Sequence, residues 1–187
     1  AGMDFLAENL LSGILRAQIA DDGRLLSANF RASAGSGVVG SASDPEARFR
    51  VDEVQVQARF DPERRATIVE PFLIQAGANR LAFSAIIEAP KAGERNWPVT
   101  IPQGLLFLST GRPGEAPLVL DQVTARGIYD PEQQKLIVQE GSLGGATAGG
   151  AFSGSLTFGA NPMLAIGIAA SQVPASAAKR LWPAIVA

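Results

Sequence analysis

The chain reads as an all-β protein, a mainly antiparallel, curved or sandwich-like repeated sheet with short helices at its two ends. Three observations predict this. Turn signals recur about every ten residues, apolar residues alternate with small or polar ones between them, and one strand–turn–strand unit occurs twice. With 187 residues, 47% hydrophobic and 18% charged, the chain is long and apolar enough to fold rather than stay disordered.

The turns come first. One tripeptide appears three times, as Asp44-Pro45-Glu46, Asp61-Pro62-Glu63 and Asp130-Pro131-Glu132. An Asp at the first corner of a type I turn accepts backbone N–H groups, and the Pro after it supplies the φ that the turn needs. Each copy therefore marks a turn between strands. Asp21-Asp22-Gly23, Gly77-Ala78-Asn79, Gly111-Arg112-Pro113-Gly114 and Gly159-Ala160-Asn161-Pro162 add further breaks.

Two of these turns belong to a longer repeat. A shift of 69 positions carries Val51–Ala85 onto Leu120–Gly154 without a gap. It matches Asp52 with Asp121, Val54 with Val123, the two Asp-Pro-Glu turns, Ile68-Val69 with Ile137-Val138, and Phe83-Ser84 with Phe152-Ser153. Phe60 and Tyr129 are conservative equivalents. A constant register over a shared turn points to a duplicated unit. The reading is of one segment, 1–187, of a longer protein, with a first β repeat at 47–115, a second at 116–170 and a C-terminal connector helix at 171–187.

Alternation within the two copies also agrees. Phe49 and Val51 lie on one phase, then Val54, Val56, Ala58 and Phe60 on the other; Leu118 and Leu120 give way likewise to Val123, Ala125, Gly127 and Tyr129. A slip at the same place predicts a bulge or strand bend near Asp52-Glu53 and Asp121-Gln122. Phe72 and Ile74, then Leu81, Phe83, Ala85 and Ile87, then Phe152, Leu156 and Phe158, then Leu164, Ile166 and Ile168 continue the one-sided pattern. Such strands cover something on one side only.

The ends follow another period. Asp4 is placed to cap a helix over Phe5–Leu11, whose Phe5, Leu6, Leu10 and Leu11 share a face. Ser171 or Pro174 opens a second, carrying Leu181, Trp182 and Ile185. From Glu140 to Lys179 no charged residue intervenes. Gly144-Gly145, Gly149-Gly150 and Asn161-Pro162 interrupt this stretch too often for a transmembrane helix, which needs about 20 apolar residues. It reads as small-residue strands inside a sheet.

Composition excludes several functions. The 16 basic and 18 acidic residues give a net charge of −2, so no nucleic-acid or anionic-membrane partner is expected. Without Cys there are no disulfides, thiolate metal sites or Cys nucleophiles. Without His the commonest general base and transition-metal ligand are missing. Carboxylate pairs support acid–base chemistry without His, but the acids here cluster in turns, where they cap. Gly141-Ser142-Leu143-Gly144-Gly145-Ala146 with Gly149-Gly150 matches no phosphate-loop pattern and reads as a Gly-rich strand edge. Ser153-Gly154-Ser155 lacks a nucleophile-elbow frame and a base, and Trp97 and Trp182, each before a Pro, read as packing groups. No catalytic residue, metal ligand or cofactor site is assigned, and the chain is expected not to be an enzyme.

The repeated unit resembles the AsmA-like superfamily of YhdP- and TamB-type envelope proteins. The likeness rests on Phe60-Asp61-Pro62-Glu63, Tyr129-Asp130-Pro131-Glu132 and Ser153-Gly154-Ser155-Leu156, with Val173–Pro183 similar to the connector between repeat blocks. It covers the chain from about Gly23 onward. The resemblance implies the periplasmic portion of an inner-membrane-anchored protein of Gram-negative bacteria, its anchor outside this segment. It also implies a non-enzymatic sheet that carries phospholipid acyl chains toward the outer membrane, with neighbouring repeats of the same chain as partners.

A one-sided apolar sheet must cover its apolar side with protein or with a ligand. The lipid-facing strip expected here comprises Val54, Val56, Phe72, Ile74, Leu81, Phe83, Val123, Ile137, Phe152, Leu156 and Phe158. The alternative is a structural or protein-interaction module whose own chain fills that side. Alternation admits both.

Overall fold

Each strand needs a backbone partner on its edges and a cover for its apolar side, and the first need sets the topology. The computed structural model describes residues 6–40, 42, 44–109, 114–146, 148–158 and 163–172. They form an antiparallel all-β protein. The first strands are β1 (Leu6–Ala7), β2 (Leu11–Ile19), β3 (Leu25–Ala34), β4 (Gly37–Gly40) and β5 (Arg48–Val51). The first copy of the unit, which opens with β5, continues with β6 (Glu53–Asp61), β7 (Ala66–Ala76), β8 (Asn79–Glu88) and β9 (Trp97–Leu108). The second gives β10 (Leu118–Leu120), β11 (Gln122–Asp130), β12 (Lys135–Gly144), β13 (Gly149–Thr157) and β14 (Met163–Gln172).

One sheet of 11 strands runs in the order β14-β13-β12-β11-β9-β8-β7-β6-β3-β2, with β10 beside β9. This is a meander in which strands pair with their chain neighbours, except where β3 meets β6 and β9 meets β11. β4 joins β1 and β5 in a small three-stranded sheet where β3 and β6 would otherwise continue. Among the described residues, the elements in closest backbone contact are sheet neighbours, apart from β5 with β7.

The strand is interrupted at Asp52, between β5 and β6, and again at Asp121, between β10 and β11. Asp52 turns its backbone N–H to the Gln75 carbonyl (2.8 Å), and its Oδ2 accepts the Gly77 N–H (2.5 Å). The phase slip read from alternation is thus a break in the strand.

A second irregularity recurs at the same offset of 69 residues. The pairing of β7 with β6 and β8 slips between Val69 and Phe72, and that of β12 with β11 and β13 slips between Val138 and Gly141. Glu70-Pro71 stand opposite the single residue Ser84, and Gln139-Glu140 opposite Ser153, so each bulge adds one residue. A bulge leaves a residue outside the ladder, so a Pro costs no sheet hydrogen bond there. Pro71 occupies one bulge, and Pro102 sits where β9 slips against β8, between partners Ser84–Gln103 and Ile86–Thr100.

The turns are built as their residues demand. Asp61 Oδ1 accepts the N–H groups of Glu63 and Arg64, both at 3.1 Å, and Asp130 Oδ1 accepts those of Glu132 (2.9 Å) and Gln133 (3.0 Å). Arg65 and Gln134 close the two turns with the same φ of 50°. Asp44 instead caps a single 3₁₀ turn, Pro45–Ala47, through the Glu46 N–H at 2.9 Å. In the β2–β3 turn Asp22 accepts from Arg24 Nε (2.6 Å) and N (3.1 Å), and that guanidinium holds its carboxyl below the ordinary Asp value.

The helix expected over Phe5–Leu11 is not there. Leu6–Ala7 pairs with Val39–Gly40, and Leu11 opens the nine-residue strand β2 against β3. Four apolar residues at helical spacing are a weak local preference, and a full ladder of cross-strand hydrogen bonds outweighs it. Ser171 and Gln172, placed at the start of the connector helix, end strand β14. The rest of that segment, the Gly159–Pro162 turn and most of the Gly111–Gly114 turn lie outside the described residues.

The core is small. Leu118 and Leu120 of β10, each 2% exposed, pack with Ala148 of the β12–β13 connection, and Leu106, Leu108, Val123 and Leu143 surround them. No polar or charged side chain among the described residues is buried.

Candidate functional site

Residues directly opposite in an antiparallel ladder share a face, so register sorts the side chains. One row crosses eight strands: Phe60, Thr67, Ile87, Val99, Gly127, Val138, Gly154 and Ile166. A parallel row runs Ala32, Val56, Phe72, Phe83 and Gly104. Another runs Ala34, Val54, Ile74, Leu81, Leu106 and Leu120. Beside the first row, at the other end of the strands, Trp97, Tyr129, Leu136, Leu156 and Leu164 form one more. Among the residues paired in register, none on this side carries a charge, and its polar groups are those of Thr67 and Asn79 with the Tyr129 hydroxyl and the Trp97 indole N–H.

The opposite side holds the polar and charged side chains, interspersed with apolar ones such as Ile68, Leu73, Ile86, Leu105 and Ile128. Ser12 and Ser33 meet at 3.0 Å, Thr124 and Ser142 at 2.9 Å, and Gln55, Gln57, Arg59 and Arg126 project there too. Ser153 and Ser155, weighed above as nucleophiles, lie on this polar side of β13, opposite Gly167 and Ala165. The Asp-Pro-Glu carboxylates occupy turns at the strand ends, where Asp61 and Asp130 cap backbone. No three His, Cys, Asp or Glu residues come together as a metal-binding group among the described residues.

Ten of the eleven strip residues fall on the apolar side. Val54, Val56, Phe72, Ile74, Leu81, Phe83, Val123, Phe152 and Leu156 are half-buried there. Phe72 and Phe83 stack with ring centroids 4.6 Å apart, and Phe158, 46% exposed, meets the edge of Tyr129 at 6.4 Å. Ile137 is the exception. It pairs with Ile128 and Ser155 and faces the polar side, while Leu136 and Val138 take its place in the strip. Counting back by twos from Gly141 reaches Ile137, but the bulge at Gln139-Glu140 adds one residue and reverses the parity.

The apolar side is wider than the eleven residues of the strip. Leu11 and Leu15 on β2 and Phe30 on β3 extend it to one edge, and Leu164, Ile166 and Ile168 on β14 to the other. At both edges these side chains are open, with Leu11 73% and Leu164 58% exposed. The run Ala28, Phe30, Ala32, Ala34 carried a period-2 signal for β3, muted because alanines mark a face weakly. Trp97 opens β9 opposite Tyr129 and is 36% exposed. No helix among the described residues is long and apolar enough to cross a membrane.

No protein-family model, no curated protein and no solved structure matches this chain.

Proposed function

We propose that this chain is a non-enzymatic module that holds phospholipid acyl chains along the apolar side of its large sheet. In the AsmA-like reading of its repeat, it does so in the periplasm, within an inner-membrane-anchored protein that serves outer-membrane lipid transport. One observation carries the proposal. Ten strands in succession present an uncharged apolar side, buried around Leu118 and Leu120 but open toward the β2 and β14 edges. Apolar area costs about 25 cal/mol per Å² when left in water, and soluble monomers rarely expose a contiguous patch above a few hundred Å². Acyl chains suit such a strip because they are apolar along their length and need no hydrogen-bond partner.

The test is lipid analysis of the 187-residue chain purified from a cell envelope, by native mass spectrometry and by extraction. Phospholipid should accompany the wild type and be lost from a Val56→Glu, Phe83→Glu double variant that remains folded by circular dichroism. Lipid-free wild-type protein would sink the reading and leave a structural module whose apolar side is met by protein.

A further inference from the structure

The polar side of the large sheet carries a second site, at the β2–β3–β6 corner. Arg16 of β2 and Arg59 of β6 both stand opposite Asn29 of β3, and Arg31 lies two residues along β3 between Ile14 and Gln57. Strands lie about 4.8 Å apart, so the Arg16 and Arg59 backbones are roughly 10 Å apart, with Arg31 about 7 Å along from Asn29. All three residues are exposed, and they line one groove of about 460 Å³ together with Asn29, Gln57 and Glu70.

Arg24, Arg50, Arg64 and Arg95 each stand beside a carboxylate, on Asp22, Asp52, Asp61 and Glu132. Arg16, Arg31 and Arg59 have no ion-pair or hydrogen-bond partner among the described residues. Arg65, Arg80 and Arg126 elsewhere also lack an ion pair among the described residues, but only Arg16, Arg31 and Arg59 meet in one groove. Like charges on adjacent strands repel, and Glu70 is the one acid lining the groove. Three guanidinium forks within side-chain reach of one point match the oxygens of a phosphate, which Arg engages through paired N–H donors. Asn29 and Gln57 add neutral donors beside them.

We propose that Arg16, Arg31 and Arg59 form a binding site for a phosphate group, independent of the apolar side. A soluble phosphate compound and a lipid headgroup share this chemistry, and the experiment separates them. The full 187-residue chain is titrated with pyrophosphate by calorimetry and, in parallel, floated with phosphatidylcholine vesicles with and without phosphatidic acid. Binding should weaken about tenfold for each of Arg16→Gln, Arg31→Gln and Arg59→Gln, and should fall as salt rises. Glu70→Gln, which removes the only carboxylate in the groove, should tighten it a few-fold. Arg64→Gln, outside the groove, should leave it unchanged.

Pyrophosphate binding with this pattern assigns the site to soluble phosphates. Binding only to phosphatidic acid vesicles, with the same pattern, assigns it to headgroups. No binding to either probe, or binding unchanged in the Arg16→Gln, Arg31→Gln, Arg59→Gln triple variant, overturns the proposal. These are exposed side chains whose loss perturbs folding little, so circular dichroism of each variant should match the wild type. Because the apolar strip does not enter the readout with pyrophosphate, failure here leaves the acyl-chain proposal standing, and the reverse.

Discussion

Phe152 lies with its ring over Gly141, directly across the β12–β13 ladder, where the first copy of the unit stacks Phe83 on Phe72. A Cβ at Gly141 would collide with that ring. The glycine lets the aromatic lie flat on the sheet and fill the space that a second Phe fills elsewhere. Gly141→Val should therefore force the Phe152 ring up and cost about 1–3 kcal/mol of stability, an overpacking effect. Urea denaturation of the folded chain measures it; an unchanged midpoint would mean that the ring has room to move.

Gly127 makes a closer demand. It sits where β12 bulges, and a Cβ there would strike the Ile137 carbonyl oxygen. Backbone cannot yield as a side-chain tip does, so Gly127→Ala should destabilise despite adding one methyl group, by about 1–3 kcal/mol. The equivalent position in the first copy is Ala58, opposite Val69. Ala58→Gly should cost only about 0.5–1 kcal/mol, the usual penalty of a strand glycine. Comparing the two denaturation midpoints tests whether the copies differ in the closeness of this bulge.

The two Asp caps should act separately. Removing the acceptor in Asp61→Ala or Asp130→Ala strands two turn N–H groups and should cost about 1 kcal/mol each, with the double variant adding within about 0.5 kcal/mol. Asn keeps a side-chain oxygen and should retain most of the stability. A double variant no worse than either single one would show that the turns act as one unit.

The parity reversal in β12 offers a sharp comparison of adjacent residues. Val138→Glu puts a carboxylate on the apolar side and should lower phospholipid recovery at least tenfold, because an unpaired charge is costly among acyl chains. Ile137→Glu puts the same group beside Ser155 on the polar side and should leave recovery within about twofold. Extraction and mass spectrometry of the two proteins decide it. Equal losses would place both residues on one side and contradict the bulge.

Strands β2 and β14 end the sheet with no further strand beside them among the described residues, and both carry open leucines. In water and without lipid the chain should self-associate through these edges and the apolar side. Leu15→Lys with Leu164→Lys should shift sedimentation toward monomer, and mild detergent should do the same for the wild type. A monodisperse wild-type monomer in plain buffer would contradict this.

Residue order alone specified much of the architecture. Asp-Pro-Glu marked the turns because a short acceptor and a preset φ act within four residues. Val54, Val56, Phe72 and Phe83 announced a one-sided sheet because alternation is a local property of extended chain. The slip at Asp52 and Asp121 was visible for the same reason. Three things waited for tertiary structure. Whether Leu6–Leu11 became helix or strand depended on partners near Val39 and in β3, distant in sequence. The side taken by Ile137 depended on one extra residue in a bulge, which no count by twos can see. The meeting of Arg16, Arg31 and Arg59 depended on three strands lying side by side, since separations of 15 and 28 residues carry no sign of proximity until the ladders form. Turns and alternation are short-range and can be read along the chain, whereas pairing, parity across a bulge and cross-strand charge are set by neighbours the sequence does not place together.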